Sequence, residues 1–168
     1  MERDKSCYFK SEGMSSLATR RTAIGFIGLF FFMPLAACGQ GEEKLKKDMV
    51  LNVEMFSYVD QGTVNISFNG TGLGVMGRYG GTGTIVGVRV PFGIQKLKWK
   101  IDGPKGTPRN GEVVTVKNQL VIYPGQIPDQ TRYLGLHLYP DDTVEITFSE
   151  SIPERTSRGM ALLPAEMK

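Results

Sequence analysis

Residues that usually carry chemistry are scarce in this chain of 168 amino acids, which holds one histidine, His137, and two cysteines, Cys7 and Cys38. Two cysteines exclude both a cysteine-rich zinc module and a disulfide framework. The sequence contains no C-x-x-C, H-E-x-x-H or G-x-S-x-G, so it has neither a zinc-protease helix nor a serine nucleophile elbow. His137 could in principle act as a general base, but a strand histidine sharing a face with aromatics reads as a surface or packing residue. No catalytic activity, metal or cofactor is expected. With 40% hydrophobic and 22% charged residues, the chain suits one ordinary domain, neither disordered nor fibrous.

One apolar run stands out. Residues 23–37 carry no charge and follow Arg20, Arg21 and Thr22, the order of an export signal. As a helix the run would span only about 22 Å, against about 30 Å of hydrocarbon in a bilayer, so it is too short for a permanent anchor. It closes on Leu35-Ala36-Ala37-Cys38, followed by Gly39, which closely resembles the lipobox of bacterial lipoproteins. Leu35 would fill an apolar subsite, Ala36 and Ala37 would admit a peptidase to the backbone, and the Cys38 thiol would accept a diacylglyceryl group. This resemblance implies cleavage before Cys38 and two or three acyl chains on the new N-terminus. At about 0.8 kcal/mol per buried CH₂, more than one chain makes a stable anchor where a single chain does not. Gly39 after the cysteine, instead of Asp, implies the periplasmic face of an outer membrane. Arg20-Arg21 lacks the rest of a twin-arginine motif, so the general secretion route is expected. Residues 1–13 add nothing an export signal needs, and translation is expected to begin at Met14.

Removing residues 1–37 takes five of the 20 basic and three of the 17 acidic groups, leaving the mature chain near +1. The basic balance therefore belongs to the targeting segment and does not argue for nucleic acid as a partner. Residues 38–48 are polar and charged, as a tether would be. From Met49 the period is two. Leu51, Val53, Met55, Ser57 and Val59 share one strand face, and Val64, Ile66 and Phe68 share another, with Asp60-Gln-Gly62 expected as a hairpin link. A strand is expected over 84–90, and Leu97, Trp99 and Ile101 alternate with Lys96, Lys98 and Lys100. Short strands follow over 112–117 and 120–123. Leu134, Leu136 and Leu138, the turn Pro140-Asp141-Asp142, and Val144, Ile146 and Phe148 read as a hairpin. The reading is an all-β domain over 49–152, an antiparallel sandwich or small barrel of seven or eight short strands. Residues 153–168 are expected to form an irregular, frayed tail.

Gly72-Leu-Gly74-Val-Met-Gly77 matches G-x-G-x-x-G, but glycines continue through Gly80, Gly81 and Gly83 where the motif needs a helix to meet a pyrophosphate. No nucleotide is expected, and the segment reads as a loop. Asp141 and Asp142 read as turn residues capping backbone amides. Lys96, Lys98 and Lys100 form a basic ladder that is either a solvated face guarding a sheet edge or a docking face for an acidic protein surface or anionic lipid.

Two stretches carry a further resemblance. Arg78-Tyr79-Gly-Gly-Thr-Gly with Val90-Pro-Phe-Gly and Leu97-Lys-Trp99, and later Tyr133 to Phe148, resemble small proteobacterial lipoproteins that carry a domain of unknown function. Relatives of that kind occur near type VI secretion lipase effectors, and some are regarded as their immunity proteins. The resemblance spans residues 50–160 and implies a lipid-anchored periplasmic binding protein whose partner is a lipase effector, but it carries over no binding residue; Lys96, Lys98, Lys100, Arg78 and Tyr79 are candidate partner-binding residues of this sequence itself. The alternative is a structural or assembly lipoprotein of the envelope or of a secretion machine.

Overall fold

Period-two patterning builds ten strands between Asp48 and Ser149 in the computed structural model, which describes residues 47–168. The export signal, the start at Met14, the lipobox residues Leu35, Ala36 and Ala37, and Cys38 with nearly all of its tether lie outside the described residues. In chain order the strands are β1 (Asp48–Ser57), β2 (Gly62–Phe68), β3 (Thr71–Met76), β4 (Ile85–Pro91), β5 (Gly93–Gln95), β6 (Leu97–Asp102), β7 (Val113–Thr115), β8 (Leu120–Ile122), β9 (Tyr133–Leu138) and β10 (Val144–Ser149).

They form two four-stranded sheets, ordered β10-β9-β1-β4 and β3-β2-β6-β7, with β5 and β8 paired as a separate ribbon. Leu51, Val53, Met55, Leu134, Leu136 and Leu138 of the first sheet meet Ile66, Phe68, Leu97, Trp99 and Ile101 of the second in one buried core. Each fully buried aliphatic or Phe side chain there contributes about 1.5–3 kcal/mol. Neither sheet closes on itself, so the architecture is a sandwich and not a barrel.

Several sequence expectations change. The count is ten strands among the described residues, because the glycine-rich stretch conceals β3 and the break at Pro91 is followed at once by β5. The sandwich is not wholly antiparallel, since β1 runs parallel to β9. Residues 60–62 do not close a hairpin. They carry the chain from one sheet to the other, and β1 instead pairs with β4 and β9. The alternation of Val64, Ile66 and Phe68 is interrupted at Asn65, which takes a φ of 52° at a bulge in β2. Asparagine tolerates that left-handed geometry, and the extra residue turns Thr63 inward with Ile66 and Phe68.

The C-terminal segment is not frayed. It crosses the outer face of the first sheet, where Thr156 caps a six-residue helix, α1 (Ser157–Leu162), by accepting a hydrogen bond from the Gly159 amide. Leu163 is buried with Tyr58 and Tyr139 in a second small core. β1 is therefore covered on both faces, with its aliphatic side against the main core and Phe56 under this segment.

Candidate functional site

Leu97, Trp99 and Ile101 point into the core, which turns Lys98 and Lys100 of β6 outward, with Lys96 immediately before the strand. β6 lies between β2 and β7, so the ladder does not guard an edge; it lies on the outer face of an interior strand. Among the described residues, none of the three lysines takes part in an ion pair.

The ladder runs into a groove of about 620 Å³ with a mostly apolar lining. Its origin is a mismatch in strand spacing. Lys98 pairs with Thr115 across β6 and β7, and Gln95 pairs with Leu120 across β5 and β8. Two residues, Lys96 and Leu97, thus face four, residues 116–119, and the longer segment bows outward. The bow is fastened at both ends of Asn118, whose carboxamide accepts from the Val144 amide at 2.8 Å and donates to its carbonyl at 2.9 Å. Opposite, Asn69 accepts from the Lys96 amide at 2.8 Å and donates to Gln95 at 2.7 Å. Gln95 donates in turn to the carbonyls of Pro91 and Gly93. These amides hold the walls apart.

Asp141 and Asp142 have separate roles. Asp141 caps the turn as expected, accepting from the amide and hydroxyl of Thr143. The Thr143 hydroxyl, with Arg158 nearby, holds its carboxyl below the usual range. Asp142 does not cap; its φ of 65° turns the carboxylate toward Lys117 at 2.9 Å and Arg109 at 2.8 Å. Burial raises its proton affinity, but hydrogen bonds from Lys117 and Arg109 outweigh that, and the carboxyl stays below its ordinary value.

His137 is fully buried beneath the C-terminal segment. Nδ1 lies 3.1 Å from the Tyr58 hydroxyl and Nε2 3.1 Å from the Thr147 hydroxyl, so both ring nitrogens are occupied. The ring stacks on Phe56 at 4.9 Å, and Tyr58 stacks on Tyr139 at 5.2 Å. Desolvation lowers the imidazole to about 4, with Arg155 acting in the same sense and Glu145 against it. Arg155 lies over Phe56 and Tyr58, and Arg158 over Tyr139 at 3.7 Å. Tyr139 donates to Glu145 at 2.6 Å, and burial with that bond pushes its phenol up to about 12. This arrangement makes a packed and neutral histidine.

Gly72 and Gly74 fall within β3, and the next element after Gly77 is β4, so no helix opens at the glycine motif. Tyr79 packs against the second core, and its carbonyl accepts from Arg155 at 2.7 Å. Arg78 lies 5.6 Å from the Tyr79 ring. The five candidate partner-binding residues therefore divide between opposite faces of the sandwich, the lysines on the second sheet and Arg78-Tyr79 beside the first. Sequence reasoning missed the groove, since the two-against-four spacing is visible only once β5 is paired with β8. What the fold and geometry define is a β-sandwich with a grooved face that carries three lysines in no ion pair among the described residues. No protein-family model, curated protein or solved structure matches the chain.

Proposed function

We propose that this chain is a lipid-anchored binding protein on the periplasmic face of the outer membrane, and that it neutralises a lipase effector delivered by type VI secretion. The observation that carries the binding role is the lysine ladder. Lys98 and Lys100 project from an interior strand, with Lys96 just before it, and none of the three is in an ion pair among the described residues; they stand beside a groove whose walls are pinned by side-chain amides. An acidic partner surface would steer onto such a face, and tethering through Cys38 would raise its effective concentration at the bilayer. The lipobox-like ending of the apolar run and the family resemblance supply the location and the class of partner.

The test is protection. Cells lacking the gene are challenged with lipase-delivering attackers and complemented with the wild-type chain, with Cys38→Ser, or with Lys96→Glu/Lys98→Glu/Lys100→Glu. Wild type should restore survival, and both variants should lose protection while the ladder variant still accumulates in the envelope. If deletion leaves survival unchanged and instead impairs the cell's own secretion, the effector reading is wrong and an assembly role takes its place.

A further inference from the structure

We infer that the groove between the lysine ladder and the bowed segment 116–119 binds a single-chain anionic amphiphile, a long-chain carboxylate. Ile94, Leu97, Val116 and Leu120 contribute its apolar surface, and Lys96 and Lys98 stand at the same site. Its volume falls within the range of about 300–1,000 Å³ of small-ligand sites.

Charge complementarity fixes the sign of the headgroup as anionic. Among the described residues, no carboxylate lines the groove. Lys117 is committed to Asp142 at 2.9 Å, and the carboxamides of Gln95, Asn69 and Asn118 are engaged with neighbouring groups. Lys96 and Lys98 are the cations left with no ion pair among the described residues, and both are exposed. Ile94 is 65% exposed, an apolar side chain beside them that lacks cover. An alkyl chain would cover Ile94 and Val116 while its carboxylate met the two ammonium groups, which is the pairing of apolar contact with a few placed charges that ligand sites use. This inference rests on the groove itself and not on the effector reading.

Envelope fractions carrying the full chain are treated with a photoreactive palmitate analogue, irradiated, and the chain is mapped by peptide mass spectrometry. Label should concentrate on residues 94–98 and 116–120, and excess unlabelled palmitate should displace it. Lys96→Glu/Lys98→Glu and, separately, Ile94→Glu should each reduce that label about tenfold. A neutral alcohol bearing the same photoreactive chain should label these residues about tenfold less than the acid. All three substitutions fall on exposed positions, and unchanged thermal unfolding of each variant excludes a folding defect. Label spread evenly over the chain, label insensitive to both variants, or equal labelling by the alcohol overturns the inference. Its failure would leave the protection assay unaffected.

Discussion

Gly159 packs directly against the ring of Tyr58, with no room for a methyl group between them. The contact joins the first turn of α1 to the end of β1 and holds the C-terminal segment on the sheet. Ala at an open helical position is favoured over Gly by about 1 kcal/mol, but here the added carbon would enter a ring already fixed by His137 and the Thr156 amide. Overpacking of that kind costs about 1–3 kcal/mol. Gly159→Ala should therefore lower the urea midpoint, and a midpoint above wild type would show that the segment does not pack as described.

Thr156→Ala removes the cap of the same helix together with the hydroxyl that meets Tyr139 at 2.7 Å. A loss of about 1–2 kcal/mol is expected in urea unfolding. Thr156→Ser keeps the oxygen and should recover most of it, which separates the cap from the lost methyl.

His137 gives the fold a defined acid sensitivity. Its imidazole titrates near 6.5 in the unfolded chain and at about 4 when folded. Above pH 6.5 both states are neutral there and the residue adds no pH dependence. Below it the unfolded state takes up the proton first, so stability falls as pH drops from 6.5 toward 4, by an amount on the order of 3 kcal/mol. Unfolding midpoints across that window should decline for the wild type and flatten for His137→Gln; parallel curves would refute the assignment.

Asp142→Asn should destabilise the chain by about 1–3 kcal/mol at neutral pH, because Arg109 and Lys117 lose a largely buried carboxylate. Asparagine accepts the positive φ, so backbone strain does not enter. The penalty should shrink as pH falls through the depressed carboxyl titration, where the wild-type side chain becomes neutral as well. Thermal unfolding of both proteins at neutral and acid pH checks this.

Lys98→Glu should change stability by less than about 0.5 kcal/mol, since the side chain is exposed and belongs to no ion pair among the described residues. A larger loss by calorimetry would make the ladder part of the fold and not a free face.

The elements readable in the sequence are those whose signal is local. Leu134 to Leu138 and Val144 to Phe148 alternate cleanly around a proline-aspartate turn, and they are β9 and β10. The lysine ladder was equally plain, because Leu97, Trp99 and Ile101 fix which side faces the core. β3 was hidden by Gly72 and Gly74, which carry no side chain to show a period. The link at 60–62 was misread because hairpin rules weigh only neighbours, while β1 draws its partner from about 80 residues away. The C-terminal segment carried its own signal in Thr156 and Gly159 before an apolar run, but the rings it covers belong to β1 and β9 and their vicinity. The groove depends on two pairings at once, and no single stretch of sequence contains it.

The parallel seam between β1 and β9 dictates when this domain can form. The innermost strands of the first sheet are the first and the last but one of the described strands, so a nascent polypeptide that has not reached Leu138 has β1 with an unpaired edge and a core without Leu134, Leu136 and Leu138. Such high contact order delays folding until the last strands are available. Fragments that stop short of β9 should then collapse and aggregate instead of yielding a smaller native unit.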